Sequence, residues 1–316
     1  MVPVVTQRAI SVPDQSGRTA LVTGANSGLG LETAAVLAER GAHVLLAGRS
    51  PERLEAALSN VRARAPHVFV GSLVFDLASL VSVRHAADTV LAATDRLDLL
   101  VDNAGVMAIP RSETEDGFET QFGTNHLGHF ALTGLLLPAL LPTKGSRVVV
   151  VTSFMRLFGR IDFADPHGRA HYGRWKAYCQ SKLANVLFAE ELERRLRATF
   201  GAETVAVPAH PGYAATNLQR GTSLLHNATL GAANRIFAQS AEAGAWPQLY
   251  AATAPAVRGG ELYGPGHLGG LRGLPRRKSL DPRSKDLDAA RRLWELSVEE
   301  TGVDYAVLAR GGAPGP

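Results

Sequence analysis

Short apolar runs rich in β-branched residues alternate along this chain with longer stretches whose apolar positions recur at helical spacing. The runs Thr19 to Thr23, His43 to Ala47, Val68 to Phe75, Leu97 to Val101, Arg147 to Thr152 and Thr204 to Ala209 predict strands. Between them, Leu29 to Arg40, Pro51 to Arg64, Leu80 to Ala93, Phe118 to Leu141 and Trp175 to Thr199 predict helices. Strands joined through helices need crossover connections, and these build a parallel sheet with helices on both faces. The expected architecture is one doubly wound α/β domain over residues 18 to 316, preceded by a polar arm at 1 to 17. The unbroken apolar run Val148 to Val151 marks a central strand buried on both sides.

Past Pro211 the alternation weakens. The segment 211 to 245 is rich in Ala, Asn, Gln and Gly with scattered large apolar residues, and it reads as helices covering a substrate. A last strand near Glu261 to Tyr263, a Gly/Pro-rich loop through Pro275 and a closing helix near Lys285 to Val298 finish the pattern. No internal repeat and no second domain with its own core is evident.

Composition narrows the function classes. The 316 residues are 46% hydrophobic and 20% charged, so a large core is within reach without lipid-like character. The richest apolar stretch, Phe130 to Leu141, is too short to span a bilayer and contains Pro138, so no integral membrane segment is expected. Residues 1 to 17 lack the basic start, apolar middle and small-residue cleavage site of a secretory signal, which predicts a cytoplasmic location. Cys179 is the only cysteine, which rules out an internal disulfide or a multi-cysteine metal site. The net charge of +4 is spread along the chain; only Arg272 to Lys278 cluster, without interleaved aromatics, and they read as a solvated loop rather than a nucleic-acid site. The ten histidines show no ligand spacing, so no metal is expected, and His126, His129 and His210 read as packing or supporting groups.

The first strand runs into Thr23-Gly24-Ala25-Asn26-Ser27-Gly28-Leu29-Gly30, which opens the next helix. Such glycines permit a tight turn and close backbone approach to a pyrophosphate, and the helix N-terminus offers N–H groups and a favourable dipole. Gly24, Asn26, Ser27, Gly28, Leu29 and Gly30 are thus candidate dinucleotide ligands in a Rossmann-type domain. The second strand ends Ala47-Gly48-Arg49-Ser50, with Gly48 where NAD sites commonly place an acid and Arg49 placed to meet a 2′-phosphate. NADP(H) is the expected cofactor; a solvated loop arginine is the alternative reading of Arg49.

Tyr178 and Lys182 stand four residues apart in a helical stretch, so one face presents a phenol beside an ammonium. A neighbouring positive charge favours phenolate and is expected to pull the tyrosine pKa below about 10. Tyr and Lys at this spacing also occur on ordinary exposed helices. Cys179 points about 100° away from Tyr178 around the helix and reads as a packed thiol.

The ordered motifs resemble the short-chain dehydrogenase/reductase family, in its branch with a TGxxxGxG turn. They are Thr23 to Gly30, Asp76 after the third strand, Asp102-Asn103-Ala104-Gly105 after the fourth, Asn125, Ser153 with Tyr178 and Lys182, and Pro211-Gly212 with Thr216. Asn125-His-Leu-Gly-His-Phe130 and Ala177-Tyr-Cys-Gln-Ser-Lys-Leu-Ala-Asn-Val-Leu-Phe188 look most like retinol dehydrogenases, as does the 25-residue step from Ser153 to Tyr178. By that resemblance the reaction is hydride transfer between NADP(H) and a carbonyl or alcohol. Tyr178 would be the general acid or base, and Lys182 would tune it and hold the nicotinamide ribose. Ser153 would bind the substrate oxygen, and Asn125 would support a water-linked proton path. Asp76 and Leu77, Asn103, Ala104 and Gly105, and Pro211, Gly212 and Thr216 would meet the cofactor; Asp76 and Thr216 equally fit N-cap or turn roles.

The same resemblance implies that residues 156 to 175 border a substrate pocket and that a homodimer or homotetramer forms through the two long helices. Met155, Leu157, Phe158, Tyr213, Leu218, Leu224 and Leu225 are candidates to line an apolar cavity for a lipophilic small molecule. Two departures stand out: Asp102 where the family usually has asparagine, and Thr152 where serine is more common. The rival readings are an epimerase or dehydratase, whose usual TGxxGxxG turn is missing here, and a non-catalytic NADP-sensing regulator. Loss of Tyr, Lys or Ser would favour the regulator, and all three are present.

Overall fold

The computed structural model describes residues 11–199, 201–212 and 240–309. Eight strands form one sheet in the order β3-β2-β1-β4-β5-β6-β7-β8. They are β1 Thr19–Thr23, β2 His43–Gly48, β3 Val70–Val74, β4 Leu99–Asp102, β5 Arg147–Val151, β6 Val205–Ala209, β7 Leu262–His267 and β8 Arg272–Lys278. β1 to β7 run parallel, and β8 pairs antiparallel with β7 along one edge. The chain order reverses between β1 and β4, so a crevice opens at the carboxyl ends of these strands.

Alternation of side chains places Val149 and Val151 of β5 in one apolar cluster and Val148 and Val150 in another, on the opposite face. Helices α1 (Gly28–Glu39), α2 (Pro51–Arg64) and α7 (Ala241–Thr253) cover the first face. On the second lie α3 (Leu80–Ala93), α5 (Gly128–Leu140), α6 (Arg174–Ala198) and part of α8 (Leu287–Thr301). Helix α8 begins on an Asp286 cap that accepts from two backbone N–H groups, and it ends at Gly302 with φ of 64°.

One expected helix carries an irregularity and two expectations are corrected. The stretch Phe118 to Leu141 is helical from Thr120 to Leu140, but a short α4 (Thr120–Phe122) continues through a π-turn, Gly123–Leu127, into α5 with helical backbone angles at each junction. The basic cluster Arg272 to Lys278 is not a solvated loop but the edge strand β8; its charges suit an edge that must not recruit another strand. Finally, the end of the expected substrate cover, Ala241 to Ala245, is the first turn of α7, which packs against α1 and the sheet. The rest of that cover from Tyr213 onward lies outside the described residues.

Helix α8 packs across α5 and α6. Trp294 of α8 sits among Phe130 of α5, Phe188 of α6 and Tyr305, with ring centroids 4.5 to 6.0 Å from it. Arg195 caps the cluster, its guanidinium 4.3 Å from the centre of the Trp294 ring.

Candidate active site

A cleft of about 320 Å³ opens at the carboxyl ends of the strands around the switch point. Gly24, Asn26, Ser27, Gly28, Leu29 and Gly30 line it, with Arg49, Asp76, Leu77, Asn103, Ala104 and Gly105, so predicted cofactor residues from four separate segments meet here. Gly24 has φ of 65°, and a Cβ on Gly30 would come within 2.4 Å of the Gly24 carbonyl oxygen. No side chain could occupy that position. Ser27 caps α1 in position but makes no side-chain capping bond, and no acidic residue stands in the first turn. The N–H groups and positive dipole end of α1 therefore face the cleft without a protein competitor, which fits a bound pyrophosphate.

Thr23 and Gly48 also line this cleft, as do residues that were not singled out from sequence: Arg53, Phe75, Val106, Met107, Ile109 and Thr124. Arg53 had a readable signal, one turn beyond Arg49 at the start of α2. Thr124 had none, because its position depends on the π-turn.

Strand β5 ends beside α6, and hydrogen bonds stitch them together. Thr152 Oγ1 donates to the Lys182 carbonyl at 2.6 Å, so the departure from serine keeps a hydroxyl at work. Lys182 Nζ and Asn185 Nδ2 both donate to the Val151 carbonyl, at 3.2 and 3.0 Å. Two residues on, Ser153 lies beside the Tyr178 phenol and favours its charged form, while its Oγ accepts from the Met155 N–H at 3.2 Å. Trp175 lies edge-on to Tyr178 at 6.2 Å and is 40% exposed, while Phe158 is 66% exposed. The segment 156 to 175 thus brings aromatic surface next to the phenol.

Asn125 lies in the π-turn with its amide fully engaged. Oδ1 accepts from the Val106 N–H at 2.7 Å, and Nδ2 donates to the Val106 carbonyl and to Ser181 Oγ, each at 2.9 Å. Ser181 in turn donates to the Tyr178 carbonyl at 2.9 Å. A Cβ on Gly105 would stand 2.9 Å from Asn125 Oδ1 and 3.4 Å from Lys182 Nζ, which puts the ammonium against the cofactor wall. Ser153, Tyr178, Lys182 and Asn125 therefore belong to one connected cluster bordering the cleft. Pro211 and Gly212 follow the carboxyl end of β6, with the Gly212 N–H donating to His210 Nδ1 at 3.3 Å. Thr216, Tyr213, Leu218, Leu224 and Leu225 lie outside the described residues.

The electrostatics differ from expectation at the tyrosine. Burial pushes the Tyr178 phenol up to about 12, and the neighbouring Ser153 hydroxyl only partly opposes it. Burial pushes the Lys182 ammonium down to about 8. In a site this enclosed, loss of water disfavours both charged forms more strongly than the lysine favours phenolate.

Among the described residues no group of three or more His, Cys, Asp or Glu side chains is arranged to hold a metal, and no helix is long and apolar enough to cross a membrane.

A dinucleotide crevice at the switch point of a mostly parallel sheet, flanked by a Ser–Tyr–Lys cluster on β5 and α6, defines a nicotinamide-dependent oxidoreductase fold and site. The chain belongs to the short-chain dehydrogenase family, whose profile matches residues 18–224. Human retinol dehydrogenase 13 is 41% identical over 293 residues, spanning 91% of this chain and 86% of that protein. Mouse polyprenol dehydrogenase is 42% identical over 297 residues, spanning 92% and 86%. The structure of an uncharacterized protein from Mycobacterium paratuberculosis matches with a TM-score of 0.78 and 40% identity, over 95% of this chain and 99% of that one. The RhlG/NADP complex from Pseudomonas aeruginosa matches with a TM-score of 0.63 and 25% identity, over 79% and 94%. This enzyme is thus similar to the retinol dehydrogenase-like branch of its family.

Proposed function

We propose that the protein is an NADP(H)-dependent oxidoreductase that interconverts a carbonyl and an alcohol on a lipophilic small molecule, with Tyr178 as general acid and base. The observation that carries the reading is the convergence of Tyr178, Ser153 and a buried Lys182 at the border of a cleft lined by the glycine turn. When bound, the nicotinamide supplies or takes the hydride. In reduction, Ser153 holds the substrate oxygen, and Tyr178 OH gives it a proton as negative charge develops there. In oxidation the same oxygen takes the proton back. A phenol kept protonated by burial is suited to the donating role.

Lys182, donating to the Val151 carbonyl, supplies positive charge to the site and a proton donor toward the nicotinamide ribose. Preference for NADP(H) is supported by two cations, Arg49 and Arg53, lining the cleft beside Gly48, which stands where NAD sites commonly place an acid. An NADP complex of a relative agrees with this choice. The lipophilic substrate class draws on the exposed Trp175 ring beside Tyr178 and on relatives named for retinol and polyprenol.

The test is turnover of a panel of long-chain and isoprenoid aldehydes and alcohols, followed by nicotinamide absorbance with NADP(H) and NAD(H) in parallel. Turnover with NADPH at a clearly higher kcat/KM than with NADH is expected. Equal or better turnover with NADH contradicts the cofactor assignment, and NADPH binding without turnover of any carbonyl favours the sensing regulator.

A further inference from the structure

His129 lies one turn beyond Asn125, on α5, and is 1% exposed. Both ring nitrogens have partners. Nδ1 is 3.1 Å from the Asn125 carbonyl oxygen, and Nε2 is 2.9 Å from Thr23 Oγ1. A carbonyl oxygen only accepts, so Nδ1 must carry the proton. Burial pushes the imidazole down to about 4, assisted by the nearby Lys182 charge, so the ring is neutral near pH 7 and Nε2 is an acceptor.

That tautomer fixes the direction of every bond at Thr23. The hydroxyl has one proton, and Nε2 at 2.9 Å takes it in preference to the Val101 carbonyl at 3.3 Å. The Thr23 oxygen is then left to accept from the Asn103 and Ala104 N–H groups, each at 2.9 Å. Asn103 also returns its Nδ2 to the Thr23 carbonyl at 2.8 Å. One imidazole therefore joins two halves of the site that are far apart in sequence. Its Nε2 side holds the wall of the cofactor cleft, and its Nδ1 side holds the turn carrying Asn125, whose amide reaches Val106 and Ser181.

We propose that His129, as its Nδ1–H tautomer, is a positioning residue that sets the cofactor wall through Thr23 and the catalytic turn through Asn125. The proposal rests on the NADP(H)-dependent reading above. A histidine that merely fills space would make the same volume contribution whichever nitrogen were replaced, so the two halves of the ring can be tested separately.

His129→Asn keeps a donor near Nδ1 and loses the acceptor at Nε2; His129→Gln keeps a polar atom near Nε2 and loses the donor to Asn125. The full-length protein is titrated with NADPH by fluorescence, and kcat is measured at saturating NADPH on a substrate that the unmodified enzyme turns over. His129→Asn is expected to lose about tenfold in NADPH affinity with a smaller loss in kcat, and His129→Gln to show the reverse split. A matching third variant, Thr23→Val, is expected to weaken NADPH about tenfold, and much less than that again when added to His129→Asn. Equal proportional losses in both histidine variants overturn the proposal. So does a lowered melting temperature with unmodified affinity and kcat, or a Thr23→Val protein that binds NADPH as tightly as the unmodified chain. Failure of the unmodified protein to bind NADPH is a different result, since it defeats the functional reading on which the proposal stands.

Discussion

Asp102 carries a carboxyl group into a place sealed from water at the end of β4. Its Oδ2 accepts from Thr133 Oγ1 at 2.9 Å, while Oδ1 has no partner, and burial pushes the group up to about 8. The folded chain therefore keeps this carboxyl protonated across a range in which the unfolded chain, with a value near 3.8, has released the proton. Stability contributed here is greatest below about pH 4 and declines as pH rises to about 8, by at most roughly 1.4 kcal/mol per pH unit. Asp102→Asn removes the titration and keeps an acceptor for Thr133. Thermal melts are expected to show the variant more stable at pH 8, with the gap closing as pH falls toward 4; a gap independent of pH contradicts the assignment. The departure at Asp102 was visible in the sequence, but its cost was not, since that depends on how completely the sheet excludes water. The same reason explains Tyr178: helical spacing placed it beside Lys182, and only the packed structure shows burial outweighing that neighbour's charge.

At the level of elements, the proposed cofactor reading gives α1 and α2 different parts of the dinucleotide. The uncapped start of α1 faces the pyrophosphate region, and the start of α2 sets Arg53 beside Arg49. Replacing both arginines by alanine is expected to raise the KM for NADPH by an order of magnitude or more, with little change for NADH, because only the 2′-phosphate needs those charges. Parallel losses for the two cofactors would contradict that role. Strand and helix positions were largely legible, since β1, α2 and α3 follow directly from apolar spacing and bounding Gly, Pro or Ser. The π-turn was not. It arises where the chain must turn Asn125 toward Val106 and Ser181, a demand made by distant partners rather than by local spacing. Strand β8 was hidden for a similar reason: Gly273 and Pro275 argue for a loop, and pairing with β7 overrides them at an edge, where proline is tolerated.

Across the whole molecule, the carboxyl ends of β1 and β4 create the cleft, β5 and α6 bring the Ser–Tyr–Lys cluster to its border, and α8 locks the outer faces of α5 and α6. Trp294→Ala opens the aromatic cluster under α8 and is expected to destabilise the fold by about 3–5 kcal/mol, read as a lower denaturation midpoint. A loss under about 1 kcal/mol would mean that α8 is only loosely applied. The glycine turn, the wall Asn103 to Gly105 and the Tyr–Lys pair could each be read from the sequence, yet their convergence from separate segments is a property of the sheet order alone. The central claim is that Tyr178 moves the proton while the cleft holds the cofactor. It is tested most directly by Tyr178→Phe, with NADPH binding and steady-state turnover measured on the same preparation. The expected result is retained NADPH binding with kcat reduced by about 10²–10⁴-fold; kcat within about twofold of the unmodified enzyme would contradict it.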